Sequence, residues 1–179
     1  LHGETLAARL ERSGQLRSAV MVELTVQIAE ALRYLHAQGM THGDLKTENL
    51  FLCRVPGEGR SRVTVKLIDF GMARPQVSDL RLAGAEVGGT PQYVAPELLR
   101  RFPPQPSMDI YSLGVLMYEM LTGVTPFDGT MQEILQAHLH EAPTSPSSVR
   151  GTPVESRLEA LIMACLDKDP GSRPPSMEN

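Results

Sequence analysis

Between Thr41 and Leu50 the chain reads Thr-His-Gly-Asp-Leu-Lys-Thr-Glu-Asn-Leu. An acid (Asp44), a cation (Lys46) and an amide (Asn49) share one short loop between a helical pattern and a strand-like run. A carboxylate can take a proton from a hydroxyl, an ammonium can offset charge on an anion, and an amide oxygen is a hard metal ligand. Taken alone, such charged loop residues are usually just solvated. That plain reading weakens because Ile68-Asp69-Phe70-Gly71 follows at the end of a later apolar run. A carboxylate there, with Gly71 freeing the turn, suits a second metal ligand directed back toward Asn49.

The flanking elements must bring these residues together. From Leu16 the apolar positions Leu16, Val20, Leu24, Ile28, Leu32 and Leu35 step by four and then three, which predicts one stripe of a helix. Glu23, Gln27 and Glu30 fall off that stripe, and Gly39 offers a left-handed end. Thr5 to Arg12 reads as a shorter helix. Leu50–Cys53 and Val63–Ile68, separated by Pro56, Gly57 and Gly59, predict a small β-hairpin. Gly71 to Pro96 has no sustained period and reads as a long ordered loop, a kind that is usually functional. Ser107 is expected to cap a helix from about Met108 to Gly123 that is apolar on nearly every face, so it belongs at the centre. Met131–Leu139 reads as a further helix. Thr152-Pro153-Val154-Glu155 reads as a capping box opening a helix with Leu158, Leu161, Ile162 and Cys165 on one side.

Composition excludes several classes. The 179 residues suffice for one domain with a sizeable core rather than two. Aromatics are only 4% with no Trp, so Leu, Val, Ile and the nine Met must fill the interior. A net charge of −4 argues against a nucleic-acid partner. Cys53 and Cys165 match no metal-ligand spacing and cannot build a disulfide framework; buried thiols in a reducing cytoplasm are expected. Leu1–Leu10 lacks the layout of a signal peptide. The most apolar run, Leu113–Leu121, is too short for a membrane span and contains Glu119, so no membrane contact is expected within this segment. The start at Leu1 without Met suggests a piece of something longer.

With these motifs in hand, the chain resembles the eukaryotic-type (Hanks-type) serine/threonine protein kinases found also in bacteria. His42-Gly43-Asp44 through Asn49 is similar to their catalytic loop, with Gly43 where many kinases carry Arg. Asp69-Phe70-Gly71 matches the magnesium-binding motif, and Ala95-Pro96-Glu97 matches the motif that closes the activation segment. Gly89-Thr90-Pro91-Gln92-Tyr93 looks like the substrate-binding loop of the serine/threonine kinases. The resemblance covers essentially the whole chain. It implies a mainly α, overall α+β, kinase C-lobe over residues 1–179, with catalytic loop 42–49 and activation segment 69–97.

It further implies transfer of the ATP γ-phosphate to protein Ser/Thr hydroxyls. Asp44, Lys46, Asn49, Asp69 and Thr90 would be the catalytic set, and Asn49 and Asp69 the Mg2+ ligands. Lys46, Glu48, Asn49, Phe51 and Asp69 would meet the nucleotide, with Leu116 and Met120 underpinning Phe51 near the adenine. Lys46 with Thr90 is the pairing associated with serine/threonine specificity. The structural roles implied are a stack of His42 and Phe70, backbone hydrogen bonds from the loop to Asp109, and a Glu97–Arg173 pair.

Other parts of the family pattern are missing. The N-terminal β-lobe, with its Gly-rich loop and phosphate-pairing Lys, is not in these residues. Lys66 reads as an exposed strand residue, and Gly57-Glu58-Gly59 lacks the third Gly, where Arg62 stands. The segment alone is therefore expected to be inactive, with the missing lobe as its partner. Gly43 has no side chain to bind a phosphorylated residue, so activity is expected not to depend on activation-segment phosphorylation. Two alternatives compete: a pseudokinase or scaffold module, and an aminoglycoside-type small-molecule phosphotransferase. The Gly-Thr-Pro…Tyr…Ala-Pro-Glu run argues against the second.

Overall fold

The computed structural model describes residues 3–55, 62–69 and 91–177. The elements run β1 (Gly3–Thr5), α1 (Leu6–Ser13), α2 (Ser18–Ala37), β2 (Leu50–Val55), β3 (Arg62–Leu67), α3 (Pro96–Leu99), α4 (Pro106–Thr122), α5 (Met131–His140), α6 (Pro146–Arg150) and α7 (Ser156–Cys165). Helices therefore dominate, as expected.

The sheet is larger than the expected hairpin. β2 pairs antiparallel with β3 from Leu50 opposite Leu67, and β1 adds a third strand on the other side of β2, with Thr5 opposite Phe51. Three residues carry too little pattern to signal a strand. Pairing across 46 positions forms it (Thr5 to Phe51), and local sequence does not encode that pairing. Thr5 ends β1 and starts α1, its side-chain oxygen accepting from the Ala8 N–H. The turn of the hairpin around Gly57 and Gly59, and the loop from Gly71 to Thr90, lie outside the described residues.

The stripe on α2 is buried through Leu24, Ile28 and Leu32, with Met21 at its start and Val20 only partly covered. The helix ends as the sequence predicts. Gly39 (φ 70°) donates to the His36 carbonyl and Met40 to the Leu35 carbonyl, a left-handed Schellman closure that a side chain would strain. Off the stripe, Gln27 acts on the sheet. Its amide donates to the Val63 carbonyl at 3.2 Å and accepts from the Val65 N–H at 3.0 Å, covering the outer edge of β3.

α4 is the axis of the domain, buried from Met108 to Leu121 on all sides except at Ser112 and Glu119. Gly114 lets α7 approach closely, since a Cβ there would lie 2.7 Å from the Cβ of Cys165. Both cysteines are buried and free, and burial pushes the Cys165 thiol up to about 12. Lys66 is exposed on β3, as expected.

Two helix boundaries correct the sequence reading. Ser107 does not cap α4; Gln105 precedes Pro106 at the first helical position, and the Ser107 hydroxyl donates to Glu97 instead. Thr152–Glu155 is not a capping box either, because α7 starts at Ser156 with Glu155 accepting from the Leu158 N–H. The reciprocal capping box is at α5, between Thr130 and Glu133. Leu161 is exposed, while Ile162 and Cys165 face the core.

His138 on α5 is fully buried, with Nδ1 2.7 Å from the Tyr111 hydroxyl and the Pro91 and Gln92 carbonyls beside its ring. The Lys168 ammonium lies 4.5 Å from the Phe127 ring centroid and 3.1 Å from the Ala137 carbonyl. Burial, reinforced by the charge of Lys168, pushes the His138 imidazole down to about 4. The unfolded chain, with a pKa of about 6.5, then binds the proton first as pH falls. Stability from this group is complete above about pH 6.5 and is lost toward pH 4. Between pH 7 and pH 5 the loss should be about 2 kcal/mol. Urea unfolding at the two pH values should show it, and His138→Gln should shrink the difference; an unchanged difference would contradict this assignment.

Candidate active site

The loop from Thr41 to Asn49 leaves α2 through the Gly39 turn and enters β2 directly, so both ends are tied to regular elements. Its first half is fixed by Asp109 in the opening turn of α4. The carboxylate accepts from the His42 N–H at 2.9 Å and from the Gly43 N–H at 3.0 Å, and the His36 Nε2 lies 2.8 Å away. Asp109 is 1% exposed, and these charge-assisted bonds are what allow an acid to remain there. Gly43 has φ 74°, a conformation that costs a side-chain-bearing residue about 1 kcal/mol. Glycine suits this loop backbone.

His42 is buried, and its Nδ1 accepts from the Asp44 N–H at 3.3 Å. Burial pushes its imidazole down, opposed by Asp109, Asp44, Asp69 and the Ile68 carbonyl. The ring therefore lies within electrostatic reach of both acids singled out in the sequence. Phe70, its expected stacking partner, is outside the described residues.

Asp44 and Asn49 are in direct contact. Asn49 Nδ2 donates to the Asp44 carbonyl at 2.8 Å and to Asp44 Oδ2 at 3.0 Å. Lys46 Nζ lies 3.0 Å from the same Oδ2. With both donors on Oδ2, Oδ1 is the oxygen left to accept a proton, considering the described residues alone. Because the Asn49 amide nitrogen is spent on Asp44, its oxygen is the end available to a cation.

The strand end brings the backbone leading into Asp69 beside Asn49. The Ile68 N–H donates to the Asn49 carbonyl at 2.9 Å, and Asp69 is the next residue, at φ 64°. A non-glycine residue in that region is uncommon and tends to occur where geometry matters for function; Asp tolerates it better than most. Asn49 and Asp69 offer one amide oxygen and one carboxylate, both hard donors. Among the described residues there is no cluster of three His, Cys, Asp or Glu that would enclose a metal by protein alone. Such an open donor pair fits a small hard cation whose remaining ligands are waters and phosphate oxygens.

The remaining expected residues divide by position. Glu48 is exposed in the one-turn 3-10 segment Thr47–Asn49. Phe51 on β2 is half-buried beside β1, its ring so close to Gly3 that a Cβ there would meet it at 2.8 Å. Leu116 and Met120 are fully buried on α4. Thr90 lies outside the described residues. Glu97 and Arg173 form the expected pair through two parallel bonds of 2.7 and 2.8 Å.

Sequence reasoning did not assign His36, Thr47 or Glu119 to this neighbourhood. The Thr47 hydroxyl is 3.1 Å from the Tyr93 hydroxyl, and Tyr93 donates to Glu119 Oε2 at 2.5 Å. Burial pushes the Glu119 carboxyl up. Its lone acid in the apolar run 113–121 was the one visible signal; His36 and Thr47 gave none.

The family described as "Protein kinase domain" matches residues 1–179. Serine/threonine-protein kinase PkaA of Streptomyces coelicolor is 39% identical over 180 residues, covering 100% of this chain and 31% of that protein. PkaB of the same organism is 36% identical, covering 97% of this chain and 41% of its own length. PknA of Corynebacterium glutamicum is 34% identical, covering 98% of this chain and 35% of its own length. The chain thus spans between 31% and 41% of the length of these three relatives. A match over every residue, with the acid and amide groups of the loop gathered at one strand end, places the chain in the protein kinase family.

Proposed function

We propose that these residues are the C-terminal, catalytic lobe of a longer serine/threonine protein kinase that transfers the ATP γ-phosphate to Ser and Thr hydroxyls of proteins. The observation that carries this reading is the junction of Asp44, Asn49 and Asp69: the first two are hydrogen-bonded, and the third follows a residue bonded to the second. Phosphoryl transfer needs alignment and cancellation of charge more than covalent help. Asp44, held on Oδ2 by Asn49 and Lys46, orients the substrate hydroxyl and accepts its proton at Oδ1. Lys46 offsets charge on the γ-phosphate, and with Thr90 it selects serine and threonine. Asn49 and Asp69 hold Mg2+, which when bound neutralises charge on the nucleotide phosphates. Glu48 and Phe51 belong to the nucleotide side of the loop, and the N-terminal lobe supplies the remaining grip on ATP.

No helix among the described residues is long and apolar enough to cross a membrane. A cytoplasmic location is the reading that ATP as substrate and two thiol cysteines support. Gly43 leaves no side chain to read a phosphorylated activation segment.

Radiolabelled ATP, Mg2+ and a generic protein substrate test the reading on the complete polypeptide that contains this chain. Phosphoserine or phosphothreonine is expected in the product. Asp69→Asn should abolish transfer while leaving the fold intact, since Asn also tolerates a left-handed backbone. Residues 1–179 alone should show no appreciable transfer. Undiminished transfer by Asp69→Asn would overturn the assignment.

A further inference from the structure

We propose that the Thr47 hydroxyl is a positioning group that clamps the loop bearing Asp44, Lys46 and Asn49 onto α4, by way of Tyr93 and Glu119. Its catalytic consequence rests on the kinase reading above; the clamp itself does not. Thr47 is 3% exposed although it sits on a loop between two charged residues, Lys46 and Glu48. A buried hydroxyl needs a partner, and here it has two candidates: the Tyr93 hydroxyl at 3.1 Å and Glu48 Oε2 at 3.3 Å.

Proton counting fixes the direction. A phenol carries one proton, and that of Tyr93 is donated to Glu119 Oε2. The Tyr93 oxygen can therefore only accept from Thr47; with the single Thr47 proton on this contact, shorter than the 3.3 Å to exposed Glu48, the chain runs Thr47 to Tyr93 to the Glu119 carboxyl. Burial and the nearby Glu119 keep the phenol protonated by pushing its pKa well up. Tyr93 is itself held to α4, because Ser112 Oγ donates to its carbonyl at 2.8 Å. Its hydroxyl is thus a fixed post rather than a mobile acceptor.

The loop is consequently tied to one helix at two places. Asp109 holds His42 and Gly43 at one end, and Glu119 holds Thr47 through Tyr93 at the other. Residues 109 and 119 are about 15 Å apart along the axis of α4, at 1.5 Å per residue. Asp44 and Lys46 lie between the two ties, and Asn49 follows two residues after the second. Because small misplacements of reacting groups cost rate steeply, losing the second tie should lower turnover more than nucleotide affinity.

The test uses the complete polypeptide with Thr47→Val, Thr47→Ser, Tyr93→Phe and the Thr47→Val/Tyr93→Phe pair. Amide hydrogen exchange across residues 42–49 reads the clamp without requiring catalysis; kcat and KM for ATP read its consequence. Thr47→Val, nearly isosteric but lacking the hydroxyl, should speed exchange and lower kcat about tenfold, with KM for ATP unchanged. Thr47→Ser should restore both, Tyr93→Phe should reproduce the defect, and the pair should be little worse than either alone. Unchanged exchange in Thr47→Val and Tyr93→Phe would overturn the clamp. So would a Ser variant no better than Val, which would reveal packing rather than hydrogen bonding. If the unsubstituted protein transfers no phosphate, the kinase reading fails, and the exchange data still decide the clamp.

Discussion

Asp44→Asn in the complete polypeptide is expected to lower phosphoryl transfer by about 10²- to 10⁴-fold, the range associated with loss of a positioned general base. The substitution keeps shape and most hydrogen-bonding capacity. The new amide can still accept from Asn49 Nδ2 through its oxygen, so the loop should keep its path between Asp109 and β2. What disappears is the acceptor for the substrate proton, together with the negative charge that pairs with Lys46 at 3.0 Å. The fall should therefore appear in kcat, with KM for ATP changed little. Thermal unfolding should shift by only a few degrees, since a half-exposed ion pair contributes at most about 1 kcal/mol. Steady-state kinetics beside a melting curve separates these outcomes. An Asn variant with full kcat would remove Asp44 from the mechanism.

The largest effect on stability is expected at Glu97. Its carboxylate and the Arg173 guanidinium are almost wholly removed from water, with side-chain exposures of 2% and 0%. Two parallel bonds join them, Ser107 Oγ donates to Glu97 Oε1, and Arg173 also reaches the Ser107 and Asp167 carbonyls. The Tyr111 ring lies 4.9 Å below the guanidinium carbon. Glu97→Ala removes the counter-charge and leaves an uncompensated cation in the interior, which typically costs about 3–5 kcal/mol. Folded domains are stable by only about 5–15 kcal/mol, so this variant should unfold at much lower urea. Replacing both partners, as in Glu97→Met with Arg173→Met, removes both charges and should cost clearly less than the sum of the single changes. Additive losses would mean that the two groups are not acting as a pair. The bridge fixes the four-residue helix α3 to the segment after α7, and so anchors the chain just beyond Tyr93.

These two sites illustrate different degrees of legibility. Asp44, Asn49 and Asp69 could be picked out because their types and order match a family, and because loops with an acid, a cation and an amide are chemically conspicuous. Their mutual geometry was not in the string. It depends on the Ile68 N–H finding the Asn49 carbonyl and on Asp69 taking a left-handed backbone. Thr47 was overlooked for a physical reason. A hydroxyl flanked by charges looks solvated, and its burial follows from Tyr93 and Glu119, which are 46 and 72 positions away in sequence.

The sequence by itself determined the features that arise within a few residues: the buried stripe of α2, its Gly39 closure, the all-round apolar α4 and the two strands of the hairpin. Periodicity and backbone freedom are local properties, so they survive reading one residue at a time. Only the tertiary structure decided which of several caps was used, that β1 joins the sheet, that Gln27 covers the edge of β3, and that half-buried Glu119 anchors Tyr93. Each of these is a hydrogen-bonding choice settled by which distant partner arrives and by water being excluded once it does, and neither is written in the neighbouring residues.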